Sequence, residues 1–103
     1  MLVLPPAWQE NLLRIGQEAL SNTLKYAHAR NFRTRLISNS KELLLELRDD
    51  GNGFQVKERH DGIGLIGMHD RAKEMGGELK IVSSRGKGTT VTAILPLNPE
   101  LVL

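Results

Sequence analysis

The sequence predicts an α+β fold: a two-layer α/β sandwich in which helices cover one face of a mixed, mostly antiparallel sheet. Three observations carry that expectation. Apolar residues recur at helical spacing over residues 7–28 and again over 65–75. Short stretches with strand-like alternation fall at 31–38, 43–49, 78–83 and 89–95. Turns within each strand pair are too short for a parallel crossover, which implies antiparallel pairing. A length of 103 residues suits one domain. That domain is expected to span residues 1–103, with about 1–6 as a linker remnant and 97–103 as a tail.

Each element has a local reason. Pro5 and Pro6 suit a helix start. At about 100° per residue, Trp8, Leu12, Ile15, Ala19, Leu20, Thr23, Leu24 and Ala27 share one broad arc. Glu18, Asn22 and Lys25, spaced i, i+4 and i+7, fall within about 60° of one another, with Asn11 in the same stripe beside the arc. The next segment alternates loosely around Leu36 and ends in the turn residues Asn39 and Ser40. Leu43, Leu45 and Leu47 alternate with Glu46 and Arg48, as in a half-buried strand, until Asp50-Gly51-Asn52-Gly53 breaks it. Residues 54–61 are polar and carry no element. The second helix stops at Gly76-Gly77, Arg85-Gly86-Lys87-Gly88 joins the last two strands, and Pro96 and Pro99 end the pattern.

Composition narrows the function. There are no cysteines, which excludes disulfide scaffolds, thiolate metal sites and cysteine nucleophiles. Fourteen Lys and Arg against twelve Asp and Glu leave a net charge of +2, and the basic residues are scattered. A nucleic-acid binder clusters them on one face, with aromatics nearby for single strands, so no nucleic-acid partner is expected. No apolar run approaches the ~20 residues that a membrane-spanning helix needs.

Three glycine-rich spots remain. Gly62-Ile-Gly64-Leu-Ile-Gly67 matches G-x-G-x-x-G, but a dinucleotide site needs a buried strand before it and an acid ~20 residues later. Residues 56–61 are mostly charged and 81–84 offer no acid, so that reading fails. A Walker loop is absent, since Gly86-Lys87 is followed by Gly88. Asp49-Asp50-Gly51-Asn52-Gly53 is sufficient as a turn, yet Asp49 continues the period of Leu43, Leu45 and Leu47. Its carboxylate should therefore face the core, where it needs donors such as a ligand amine. Thr89 is in phase with Val91, Ala93 and Leu95, so its hydroxyl points inward too. Two inward polar groups at strand ends suggest a polar-bottomed pocket. The stripe of Glu18, Asn22 and Lys25 reads either as a solvated helix edge or as a rim for Mg²⁺ and phosphate oxygens.

Together these segments resemble the Bergerat-fold ATPases. Glu18-Ala-Leu-Ser-Asn22-Thr-Leu-Lys25-Tyr26-Ala looks like their N-box, and Asp49-Asp-Gly51-Asn-Gly53-Phe54 like their first glycine box. Gly62-Ile-Gly64-Leu65-Ile-Gly67-Met68 looks like the second glycine box, and Gly86-Lys-Gly88-Thr89 like the closing Gly-Thr element. The wording of the N-box and of residues 62–72 is most similar to two-component sensor histidine kinases of the nitrate-sensor and membrane-thermosensor class.

The resemblance implies a domain that binds ATP and Mg²⁺ and transfers the γ-phosphoryl group to a histidine. Asn22 would coordinate Mg²⁺ and Lys25 would contact phosphate. Asp49 would accept the adenine amine, assisted by Thr89, with Gly51 and Gly53 letting backbone approach the base. Gly62, Gly64, Leu65 and Gly67 belong to the lid and the helix start that face phosphate, and Glu18 would organise water or Mg²⁺. His60 and His69 each precede an aspartate, but neither lies on a long heptad-spaced helix, so the acceptor histidine is expected on a separate dimerisation domain. A response regulator would follow downstream. The domain would be cytoplasmic, in a full-length homodimer that could be membrane-anchored. Two rival readings are an anti-sigma-factor serine kinase of the same superfamily and a nucleotide-binding regulator without transfer activity.

Overall fold

The computed structural model describes residues 3–53 and 64–97. Pro5, with φ −56° and ψ 148°, precedes helix α1 (Pro6–Asn22), so proline sits at the first helical position, where its missing N–H costs nothing. α1 continues into a π-helical turn, Thr23–Ala27, which stops at His28 in the left-handed conformation with φ 51°. The sequence pattern alone predicts an uninterrupted helix to residue 28. The wider turn is invisible to it, because Thr23 and Ala27 are buried at the same four-residue spacing in either geometry.

Four strands follow: β1 (Phe32–Ser38), β2 (Glu42–Asp49), β3 (Glu78–Ser83) and β4 (Thr89–Pro96), with helix α2 (Leu65–Glu74) before β3. They form one sheet in the order β1-β2-β4-β3, and its three pairings are all antiparallel. The β1–β2 turn is held by Asn39, whose Oδ1 accepts the N–H groups of Lys41 and Glu42 at 2.8 and 2.9 Å. The β2–β4 register pairs Leu43 with Leu95, Leu45 with Ala93, Leu47 with Val91 and Asp49 with Thr89. The phase read from the sequence therefore places both polar ends of the two central strands side by side.

Inward side chains of β2 and β4, with Leu79 of β3, meet Ile15 and Ala19 of α1 and Leu65, Met68 and Ala72 of α2. Burying a Leu, Ile or Met side chain is worth about 1.5–3 kcal/mol, so this shared layer is what fastens the helices to the sheet. α1 packs on β2 and α2 on β3 and β4, leaving β1 mostly uncovered: Leu36 is 57% exposed. Leu24, placed on the apolar arc by the sequence, is 77% exposed: it lies at the far edge of the arc, in the π-helical turn. Asn11 goes the other way. It is buried between the helices, its Nδ2 donating to Glu74 Oε2 at 3.2 Å and its Oδ1 accepting from Arg71 Nη1 at 3.0 Å.

Candidate functional site

The helix end, the ends of β2 and β4 and the start of α2 enclose a cavity of about 310 Å³. Its lining includes Asn22, Thr23 and Lys25 from the end of α1, Asp49 and Gly53 from the end of β2, Leu65 and Met68 from α2, and Arg85 and Thr89 from the β3–β4 hairpin. Six of the residues singled out in the sequence, Asn22, Lys25, Asp49, Gly53, Leu65 and Thr89, are thus brought to one wall-to-wall space. Glu18, Gly64 and Gly67 line a neighbouring cavity of about 280 Å³, with Arg14, Gln17 and Arg71. Met68 borders both spaces. Gly51 lies under the floor rather than in the lining, and Gly62 lies outside the described residues.

Asp49 is the chemical centre of the larger cavity. It is 8% exposed, a depth at which a carboxylate needs donors. The chain supplies two. The Gly51 N–H donates to Oδ1 at 2.9 Å, and the Thr23 hydroxyl donates to Oδ2 at 3.1 Å. An ionised carboxylate offers roughly four acceptor positions, so capacity remains on the side that faces the cavity. Thr23 is the site residue that sequence reasoning missed, having been assigned to the apolar arc. The signal was present: a hydroxyl on a buried arc must find an acceptor, and here it finds Asp49 and the Ala19 carbonyl, each at 3.1 Å.

The glycines of the first box act through close approach. A Cβ on Gly51 would overlap the Ala27 carbonyl oxygen, which accepts the Asn52 N–H at 2.7 Å. Gly53 (φ 64°) and Gly88 (φ 77°) adopt left-handed backbone, and a Cβ on either would run into main chain, of Ser84 and of Asp49 respectively. The turn after β2 is therefore pressed between the end of α1 and the β3–β4 hairpin. Thr89, opposite Asp49, shares a 2.7 Å hydroxyl–hydroxyl hydrogen bond with Ser83. At the other end, α2 starts after Gly64 (φ 74°) with no side-chain cap, and the Glu18 carboxylate is packed against Gly64.

The cavity thus combines apolar side chains such as Ala19, Leu47 and Val91 with one buried carboxylate, an amide and an ammonium. Among the described residues no group of three or more His, Cys, Asp or Glu side chains could hold a metal ion by itself.

The pocket lies where the helices meet the antiparallel sheet of an α+β sandwich. Residues 9–99 match the family of histidine kinase-, DNA gyrase B- and HSP90-like ATPases, and the chain belongs to that family. It is 38% identical over 97 residues to the sensor protein VraS of Staphylococcus epidermidis and, to the same extent, to VraS of Staphylococcus aureus. The match covers 93% of this chain but 28% of each VraS. Among solved structures, the histidine kinase domain of the Erythrobacter litoralis EL346 blue-light activated histidine kinase superposes with a TM-score of 0.78, covering 91% of this chain and 46% of that one, at 22% identity. The ATP-binding domain of PrrB from Mycobacterium tuberculosis gives 0.70, covering 86% of this chain and 68% of that one, at 22% identity. These two share the fold. No described helix is long and apolar enough to cross a membrane.

Proposed function

We propose that this chain is the catalytic domain of a sensor histidine kinase, holding Mg²⁺-ATP and delivering its γ-phosphoryl to a histidine on a separate dimerisation domain of a homodimeric kinase. The observation that carries the reading is Asp49, a buried acceptor with free capacity at the base of a cavity whose rim holds Asn22 and Lys25. Asp49 and Thr89 take the adenine edge, while Asn22 holds Mg²⁺ together with phosphate oxygens and Lys25 pairs with phosphate. Bound Mg²⁺ supplies neutralisation of the triphosphate charge. Glu18, packed against Gly64 at the start of α2, organises water or the metal's surroundings. The residues do their work by positioning and by charge, which is what phosphoryl transfer demands.

In the transfer, an imidazole nitrogen of the acceptor forms a bond to the γ-phosphorus as the bond to the bridging oxygen breaks. ADP departs with that electron pair, and the ring's other nitrogen passes its proton to solvent water. A response regulator then takes the phosphoryl group. His28 ends the π-helical turn and His69 lies on the ten-residue α2, neither on a long helix, which supports an acceptor on a separate domain; His60 lies outside the described residues.

The test is incubation with γ-labelled ATP, alone and with a histidine-bearing dimerisation domain of a kinase of the same class. The isolated chain is expected to bind ATP and remain unlabelled, and the added domain is expected to acquire acid-labile, base-stable phosphate. Strong self-labelling refutes the separate acceptor. Acid-stable label on an anti-sigma-factor antagonist would favour the serine-kinase alternative. Asn22→Ala is expected to abolish the enhancement of ATP binding by Mg²⁺ in calorimetric titration. Equal enhancement in mutant and wild type would exclude the metal role.

A further inference from the structure

The first glycine box carries a second carboxylate, on Asp50, that the nucleotide site does not use. It follows Asp49 directly, so strand alternation turns it to the opposite side, and it lines neither cavity. It is exposed, yet both its oxygens are engaged. Its Oδ1 accepts the backbone N–H groups of Arg30 and Asn31, both at 2.9 Å, and its Oδ2 accepts the Asn31 side-chain amide at 2.8 Å. Three donors converge on one surface carboxylate, all from the segment that leaves the π-helical turn through left-handed His28. The backbone bond across the same junction, from Asp50 N to Asn31 O, is long at 3.3 Å. The carboxylate is thus a multidentate fastening between the exit from α1 and the turn after β2, beside the Asn52 N–H to Ala27 carbonyl bond at 2.7 Å.

What this fastening holds is the floor of the cavity. Immediately beyond Asp50, Gly51 gives its N–H to Asp49 Oδ1 and sits against Ala27 without room for a Cβ. Asn52 donates to the Ala27 carbonyl, and its own carbonyl accepts the Gly86 N–H at 2.5 Å. The Asp49 carboxylate is therefore oriented from two sides: by Thr23, ahead of the π-helical exit, and by Gly51, in the turn. Asp50 ties those two sides together.

We propose that Asp50, with Asn31 as its partner, is a positioning residue for nucleotide recognition, holding the α1 exit against the β2 turn so that Asp49 meets the adenine edge in one orientation. This rests on the adenine role given above to Asp49. A fastening that only stabilised the fold would leave the choice of base untouched. A positioning residue changes the choice of base, because adenine presents an amine where guanine presents a carbonyl oxygen, and only a well-aimed acceptor separates them.

The experiment measures ATP and GTP dissociation constants by calorimetry, with the melting temperature of each nucleotide-free protein, for wild type, Asp50→Ala, Asp50→Asn and Asn31→Ala. In Asp50→Ala, ATP binding is expected to weaken about tenfold, the size of one well-made charged hydrogen bond, with little change for GTP. Asp50→Asn keeps an oxygen for the two backbone donors and can donate to a flipped Asn31 amide, so most of the preference should return. Asn31→Ala removes only the side-chain bond and should lose part of it; it also serves as the readout if Asp50→Ala fails to fold. An unchanged ATP-to-GTP ratio in Asp50→Ala or Asn31→Ala, whatever the melting temperature, overturns the proposal. A wild type with no ATP preference overturns the Asp49 assignment and leaves Asp50 nothing to position. A wild-type preference that the Asp50 and Asn31 variants retain in full refutes the positioning role alone.

Discussion

Replacing Asp49 with alanine removes the one buried acceptor from the base of the cavity while leaving the surrounding scaffold with partners. The Thr23 hydroxyl keeps the Ala19 carbonyl as its acceptor, at 3.1 Å, and the Gly51 N–H at the turn gains access to water through the opened space. The fold should therefore tolerate the change better than most buried-charge deletions. Removing a hydrogen bond to a charged group costs about 1.5–3 kcal/mol, a factor of roughly ten to a hundred or more in affinity. The loss falls on ATP, whose amine donates to the carboxylate. GTP presents an acceptor there and should bind the variant as well as, or better than, wild type. Titration calorimetry with both nucleotides reads the ratio directly. A preference for ATP in Asp49→Ala as strong as in wild type would refute the assignment of Asp49 to the base.

Two further outcomes follow from the geometry. Gly16 lies inside α1, and a Cβ there would meet only Leu47 Cδ2, at 4.0 Å, an ordinary contact. Gly16→Ala should therefore gain about 1 kcal/mol of helix propensity and raise the melting temperature by about 4–8 °C, and a fall in a thermal melt would show the helix packing to be tighter than drawn. For pH, the Asn31 side-chain amide, then the Asn31 and Arg30 backbone N–H groups, hold the Asp50 carboxyl below its ordinary value of 3.8. A depressed folded-state value contributes stability that is present above 3.8 and is lost as pH falls through the lower value, so wild type should lose stability below about pH 4 more steeply than Asp50→Asn. Parallel melting curves of the two proteins down to about pH 3 would contradict it.

Much of this protein was legible in one dimension because its main signals are periodic. The two-residue period that puts Leu43, Leu45 and Leu47 inward puts Asp49 inward as well, and Thr89 follows from Val91, Ala93 and Leu95 in the same way. Helix periodicity likewise sets Asn22 and Lys25 at one rim, and glycine spacing marks where the backbone must come close. Other features needed the tertiary structure, since they depend on what happens to lie opposite. The widening of α1 into a π-helical turn brings Thr23 onto Asp49, and no periodicity distinguishes that from a continued α-helix. Leu24 is exposed at the edge of the apolar arc, within the π-helical turn, and Asn11 is buried because α2 lies against that side of α1. Asp50 reads as an ordinary turn residue until Arg30 and Asn31, some twenty positions earlier, are seen to converge on its carboxylate. Strand periodicity determined which way the side chains of β2 and β4 point, because an extended backbone alternates them. Only the packing of distant segments decided which partner each side chain meets.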